Sequence, residues 1–345
     1  MTSPALDDAA LDRLRPLAFS VAYRMLGSVA EAEDVVQEAL TRVAQAEDVR
    51  NPDAFVTTVT TRLAIDVLRS ARVRRESYVG EWLPEPLVGP VHLPVAMAAP
   101  PPDAAGHAEL ADDLSTAFLV LLETLTPTER AAFLLHDVLG FPHREAADVI
   151  GTTEVAARQL ASRARRRIAE RRTAPAGPAR PAGTTTPRAE ELVTRFLAAC
   201  EDGAVEAFLE LLAQDVVLTG DSGGNVPPGM SVTKPVAGRV AVARLLAGFM
   251  KRGAPLHFER ALVGGAPGLL IMADDAVGGG LIGTWSFEVT EAAEPGSDVR
   301  LVAIRGVLNP EKLRHLGPLA DLSRMREWLT SSRSRTRPAP RARTT

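Results

Sequence analysis

Prolines divide this chain more sharply than any other feature. Seven of them fall between Pro84 and Pro102. Each fixes φ and removes a backbone donor, so no regular helix crosses that stretch. A second break, Thr173 to Pro187, is rich in Ala, Pro, Gly and Thr and reads as a flexible spacer. The stretch from Thr330 to Thr345, rich in Arg, Ser, Thr and Pro, reads as disordered. Three compact blocks remain, expected at 9–80, 108–172 and 188–314, with linkers at 81–107 and 173–187 and a basic tail at 315–345.

Hydrophobic residues are 46% of the chain and charged residues 24%, enough to bury real cores. Cys200 is the only cysteine, which excludes an intrachain disulfide and points to a reducing compartment. The six histidines are scattered, so no metal pattern emerges, and no cofactor motif is present. Neither a signal peptide nor an apolar run of the roughly 20 residues a bilayer demands can be found. The expectation is a cytoplasmic protein with no membrane partner.

The first two blocks read as helices throughout. Leu11, Leu14, Ala18, Val21, Ala22 and Met25 recur at helical spacing, and Gly27-Ser28 supplies a stop and a new cap. A helix over 29–46 buries Val35, Val36, Ala39, Leu40 and Val43. Asn51-Pro52 starts a third, with Phe55, Val59, Leu63, Val67 and Leu68 facing inward. Thr126-Pro127 opens a helix at cap and first-turn positions. The third block changes character. Two amphipathic helices lead into a strand at 216–218, a helix over 240–250, and strands at 257–263, 268–273, 281–289 and 299–308. Helices first and a curled antiparallel sheet last predict an α+β layer.

Net charge is only −4, but its distribution is uneven. Arg62, Arg69, Arg72, Arg74 and Arg75 oppose Asp66 alone, a local +4. Seven Arg lie between Glu154 and Arg172 against two Glu, a local +5. Between Glu31 and Asp48 the sign reverses. Two basic stretches and one acidic one predict two polyanion contacts and one basic partner.

The strongest local motif is a helix-turn-helix over 143–171. His143 to Ile150 forms the first helix and Gly151-Thr152-Thr153 the turn. The second helix buries Ala157, Leu160, Ala161, Ala164 and Ile168. Arg158, Gln159, Ser162, Arg163 and Arg166 then face a major groove, where Arg and Gln can read base edges. Arg165 and Arg167 fall where phosphates would lie.

The segments RMLGSVAEAEDVVQEAL (24–40), TTVTTRLAIDVLRSARVRRE (57–76), LTPTERAAFLLHDVLGF (125–141) and EVAARQLASRARRRI (154–168) resemble the extracytoplasmic-function sigma factors. The resemblance implies two all-α sigma domains, the second carrying the helix-turn-helix. Its D-x-x-Q-E element, here Asp34, Gln37 and Glu38, implies docking on the clamp coiled coil of the largest subunit of RNA polymerase core. Asp34 and Glu38 lie four apart on one helix face, away from the valines. The loop Glu47 to Pro52 would hold a flipped base of the −10 element, and the helix with Arg62, Arg69, Arg72, Arg74 and Arg75 would grip the strand. The helix-turn-helix would read the −35 element. Promoter DNA is therefore the second implied partner.

YVGEWLPEPLV (78–88) and NPEKL (309–313) resemble a subgroup with a C-terminal SnoaL-like, cystatin-like cone. The family's D-G-G-G-K segment is Asp221-Ser222-Gly223-Gly224-Asn225 here, without the Lys. The resemblance implies a cone that contacts linker and sigma domains and regulates them. The interdomain contact is expected from Trp82, Leu83, Pro84, Glu85 and Pro86 with Asp221, Asn309, Pro310, Glu311, Lys312 and Leu313.

Other functions compete. Gly220 to Gly224 matches a trypsin-like nucleophile signature, but disulfides are impossible and the upstream histidines lie in helices or the linker, so a turn or pocket rim is the better reading. His257, Asp274 and Asp275 could serve as acid and base in an isomerase or cyclase, with Trp285 and Phe287 as pocket wall. Strand aromatics are more often core, and Asp274-Asp275 before Gly278 reads as a hairpin turn. A helix-turn-helix regulator with a small-molecule-sensing cone remains open. It leaves the D-x-x-Q-E helix and the first basic stretch without a role. No catalytic or metal site is expected.

Overall fold

The computed structural model describes residues 7–76, 78–89, 115–173, 187–290 and 299–335, without the side chains of 71–76, 172–173 and 332–335. Most of the first linker, the second spacer and the last ten residues lie outside this range.

Helix α1 (Asp8–Leu26) starts where the Asp7 carboxylate accepts from the Ala10 N–H at 2.8 Å. It ends at Gly27, whose φ of 65° favours a residue without Cβ. Ser28 then caps α2 (Val29–Ala44), accepting from the Glu31 N–H at 3.2 Å. The buried valines of α2 are those its periodicity predicts.

Helix α3 (Pro52–Glu76) departs from expectation. Its buried face is Val56, Thr57, Thr60, Thr61, Ala64, Ile65 and Leu68, whereas Phe55, Leu63 and Val67 are only partly covered. The reason is that α3 packs on two sides. It meets α1 and α2 on one and α5 (Pro127–Phe133) and α6 (His143–Ile150) on the other.

The second helical block begins with α4 (Thr116–Leu122) and α5, whose Thr126 and Glu129 form a reciprocal capping box. A π-helical turn, Leu134–Val138, extends α5. Helix α6, a left-handed Gly151 and α7 (Glu154–Thr173) complete the helix-turn-helix. One apolar core spans both helical blocks, joining Leu26, Val36 and Ile65 to Phe118, Phe133 and Leu135.

The third block opens with α8 (Pro187–Asp202) and α9 (Val205–Leu211), then β1 (Leu212–Asp221), β2 (Val236–Ala237) and α10 (Arg239–Met250). Strands β3 (Leu256–Val263), β4 (Ala266–Ala273), β5 (Leu281–Val289) and β6 (Leu301–Val307) follow. Sheet order is β2-β1-β6-β5-β4-β3. The sheet is mixed rather than antiparallel, because β1 and β6 run parallel. A parallel pair needs a long crossover, and α10 with β3 to β5 provides it.

The expected tail is not a tail over its described length. Leu319 bridges to Leu281, and α11 (Leu322–Arg335) packs on the cone through a buried Met325. Met325, Trp328 and Leu329 recur at helical spacing within a composition otherwise rich in Arg and Ser. That apolar stripe decides the outcome.

Candidate nucleic-acid interface and linker clasp

Helix α2 presents Asp34, Gln37 and Glu38 to solvent, opposite its buried valines. Glu38 pairs with Arg42 at 2.7 Å across one exposed turn. The loop that follows carries Asp48 at φ 55°, the one non-glycine residue with positive φ among those described. Asp tolerates that conformation better than most residues, and such outliers concentrate at functional loops.

Two basic stretches lie in different settings. On α3, Arg69 is exposed beside Asp66 at 3.5 Å. Arg72, Arg74 and Arg75 lie on the helix, but their side chains are outside the described residues. Arg62 is turned toward the helix-turn-helix. Its Nε donates to the Val149 carbonyl at 3.0 Å and its Nη2 to the Asp148 carbonyl at 2.8 Å, at the end of α6. Arg130 makes a second bridge between the blocks, donating from Nη1 to the Met25 carbonyl at 2.7 Å.

On α7, Ala157, Ala161, Ala164 and Ile168 are buried, and Arg158, Gln159, Ser162 and Arg166 are exposed. Arg158 pairs with Glu154 on its own helix, at 3.1 Å. Arg163, Arg165 and Arg167 also have partners within the fold. Arg163 and Arg167 reach Glu129 at 3.2 and 2.6 Å, and Arg165 lies 3.4 Å from the buried Asp137. Burial pushes the Glu129 carboxyl up, but hydrogen bonds from Thr126 and Arg163 and the charge of Arg167 outweigh it, holding the group below the usual carboxylate range. In the sequence Glu129 lay within the LTPTERAAFLLHDVLGF segment with no role assigned to it.

The linker strip from Tyr78 to Gly89 runs between helices and cone. Asp221 is fully buried at the end of β1, not on a turn or rim. Its Oδ1 accepts from the Tyr78 hydroxyl at 2.5 Å, and its Oδ2 from the Leu83 N–H at 2.8 Å and the Lys312 ammonium at 2.7 Å. Lys312 also donates to the Leu83 carbonyl and stands 4.1 Å from the Trp82 ring centroid. That is cation–π distance. Burial, then the bond to Asp221, raises the Tyr78 hydroxyl well above its ordinary value. The Asn309 Nδ2 donates to the Tyr78 oxygen at 2.9 Å, and the Asn225 Nδ2 donates to the Asn309 Oδ1 at 3.2 Å. Thus Asn225 stands where the family carries Lys, and Lys312 supplies the ammonium at this site. A Cβ on Gly223 would lie 2.4 Å from the Asn309 side chain.

Pro310, Glu311 and Lys312 form a 3-10 turn capped by Asn309, and Leu313 packs with Leu83, Leu281 and Val307. Trp82 is half-buried against Gly27, where a Cβ would lie 2.8 Å from its ring. Pro84 and Pro86 are buried, and the Pro86 carbonyl accepts from His315 Nε2 at 2.8 Å. At the other side, Glu85 reaches the helical blocks. Its carboxylate accepts from Ser28 Oγ at 2.8 Å and the Val29 N–H at 2.7 Å, at the positive end of α2. Its carbonyl accepts from the Tyr23 hydroxyl at 2.6 Å. Tyr78, Tyr23 and His315 were absent from the sequence-derived set, although Tyr78 opens the YVGEWLPEPLV segment.

His257 and Asp274 meet at 2.8 Å on the cone surface, while Asp275 starts a 3-10 turn. Trp285 and Phe287 are core. Among the described residues no cluster of His, Cys, Asp or Glu could hold a metal, and no helix is long and apolar enough to cross a membrane.

Two helical blocks, one with a helix-turn-helix, followed by an α+β cone define a sigma-70-type transcription factor with an appended SnoaL-like domain. The Sigma-70 region 2 model matches residues 10–74, and the Sigma-70, region 4 model matches 115–168. The chain is 43% identical over 261 residues to the ECF RNA polymerase sigma factor SigJ of Mycobacterium tuberculosis H37Rv, covering 74% of this chain and 78% of that one. It is 35% identical over 203 residues to the probable ECF sigma factor SigI of M. tuberculosis CDC 1551, covering 57% of this chain and 64% of that one. The crystal structure of M. tuberculosis SigJ superposes with a TM-score of 0.64 at 34% identity, covering 89% of this chain and 98% of that one. The chain belongs to the extracytoplasmic-function RNA polymerase sigma factor family.

Proposed function

We propose that this chain is a cytoplasmic promoter-specificity subunit of RNA polymerase whose cone and linker hold its two sigma blocks in a closed arrangement. It performs no covalent chemistry of its own. Asp34, Gln37 and Glu38 dock on the clamp coiled coil of core polymerase. Arg69 with Arg72, Arg74 and Arg75 grips the −10 strand, joined by Arg62 once it leaves α6. Arg158, Gln159, Ser162 and Arg166 read the −35 groove, and Arg163, Arg165 and Arg167 brace α7 while lying near phosphate. Trp82 to Pro86 with Asp221 and Asn309 to Leu313 form the regulatory clasp.

The observation that carries this reading is the acidic triplet of α2, exposed on a helix whose opposite face is core. A helix-turn-helix repressor has no use for that surface. Transcription in vitro with purified core polymerase tests it. The chain should make core start at promoters that core alone ignores, and binding to DNA without initiation would refute the proposal.

A further inference from the structure

One side chain on α7 belongs neither to the core nor to the polar set that reads bases. Val155, the second residue of the helix, is 68% exposed, more than any other large hydrophobic residue among those described. Helix propensity does not account for it. Branching at Cβ restricts χ1 and makes Val a poorer helix former than Ala. An exposed Val in a first turn therefore weakens the helix and returns no burial. Nor does Val155 lie on a loose end. The Thr153 Oγ1 accepts from the Ala156 N–H at 3.2 Å and the Thr153 carbonyl from the Ala157 N–H at 2.9 Å, so the turn that carries Val155 is capped.

Spacing fixes the direction it faces. Val155, Gln159, Ser162 and Arg166 fall at i, i+4, i+7 and i+11, a single stripe of the helix, and all four are exposed. Ala157, Ala161, Ala164 and Ile168 occupy the opposite side. Arg158 and Arg166 put positive charge on the same outward surface, which suits a polyanion. In a helix-turn-helix the N-terminal residues of the second helix are the ones that reach base edges. The major groove offers such a residue one apolar feature, the C5-methyl group of thymine.

We infer that Val155 is a specificity-determining residue that packs on the C5-methyl group of a thymine in the −35 element. This rests on α7 lying in the −35 groove. Val155 and Gln159 are one turn apart, about 6 Å along the axis, which is close to two base steps of roughly 3.4 Å. The thymine therefore lies within about two base pairs of the position that Gln159 reads. Uracil presents the same donors and acceptors as thymine and lacks only the methyl group, so it removes this contact and no hydrogen bond.

The full chain, assembled with core polymerase, selects from promoter duplexes whose upstream DNA is randomised. The parent holoenzyme should enrich an upstream element that contains thymine. Each thymine of that element is then replaced in turn by deoxyuridine. At one position the replacement should weaken parent binding about fourfold, the worth of one buried methyl group. Val155→Ala should bind the thymine and deoxyuridine duplexes equally, and its own selection should lose that base preference while keeping the others. Val155→Ile, which retains an apolar branched side chain, should keep the preference. Neither variant should melt below the parent, and a lower melt in Val155→Ala would reveal a packing role and overturn the assignment. A parent that enriches no upstream element refutes the −35 reading of α7 itself. An element whose preferences move in Arg158→Ala but not in Val155→Ala leaves α7 in the groove and overturns the methyl contact. So does an element without thymine, and so does a Val155→Ala variant weakened equally on both duplexes, which would mark Val155 as a surface for another protein.

Discussion

Arg62 donates its Nε to the Val149 carbonyl at 3.0 Å, so a residue expected to hold a promoter strand here secures the helix-turn-helix. The two helical blocks also share one apolar core. A compact unit of ~130 residues has a radius of gyration of about 14 Å. Elements centred near −10 and −35 are about 25 base pairs apart, roughly 85 Å of duplex at about 3.4 Å per pair. A closed pair of blocks cannot reach both. Promoter binding therefore requires the blocks to part. Donor and acceptor dyes on cysteines placed at Thr41 and Ser162, in a Cys200→Ser background, should show high energy transfer in the free protein. Transfer should collapse on adding core polymerase and promoter DNA. Transfer that stays high in a transcribing complex would rule out the opening.

Changing Asp34 and Glu38 together to Lys should weaken core binding by several kcal/mol, since charge-assisted contacts become repulsive. The fold should survive. Glu38 loses only the exposed Arg42 pair, worth about 0–1 kcal/mol. Co-purification with polymerase and a thermal melt check the two halves of this expectation. An unfolded double variant, or one that binds core normally, removes the assignment.

Arg158 and Arg167 should separate by their effects. Arg158→Ala should relax base preference at one −35 position by about 1–3 kcal/mol and leave stability unchanged. Arg167→Ala should destabilise the chain by about 1–2 kcal/mol, the low side of charged hydrogen bonds because Arg167 is 42% exposed. The carboxyl it serves has a depressed pKa in the folded chain. Its stabilisation is therefore full above the ordinary value of 4.5 and lost as pH falls below it. Glu129→Gln should flatten that acid-side fall. Urea titrations at pH 7 and pH 4 read both effects.

The clasp has a stability and an activity prediction. Asp221 is fully buried and the Lys312 side chain is 7% exposed, so Asp221→Ala leaves a buried ammonium without its partner and should cost about 3–5 kcal/mol. Ending the chain after Arg180 should change promoter output strongly in one direction. A cut near Leu316 would strip Leu319 and the buried Met325 from the cone, so it tests cone integrity rather than the terminal basic residues. A cut after Arg335 removes only those residues and should leave the clasp intact. Equal transcription from the full chain and the Arg180 form would mean the cone is a passenger.

Local order was legible wherever one residue type forces a backbone choice. Gly27-Ser28, Thr126-Pro127 and Gly151 stand where the sequence puts a stop, a start and a turn. The strand-like segments expected at 257–263, 268–273, 281–289 and 299–308 match β3 to β6 within a few residues. What escaped was set by partners distant in sequence. The burial of Thr57, Thr60 and Thr61 has no signal in a sequence read one helix at a time, because α3 packs against helices of both blocks. Arg167 cannot be told from a phosphate contact until Glu129 is seen beneath it. The parallel β1–β6 pair leaves no trace in either strand alone. Nothing in the sequence tied Lys312 to Asp221 before folding.

Leu83 and Lys312 touch across 229 residues of sequence. At about 5–20 residues per second, a ribosome needs roughly ten to fifty seconds to make the second after the first. Throughout that interval the nascent chain has a complete α2, its first turn already met by Glu85, and no cone beside it. The contacts between linker and cone form only after both helical blocks are complete. Each new molecule passes once through a period when its affinity for polymerase is set by the sigma half alone, and slow translation of the cone would lengthen that period with no change in the mature protein.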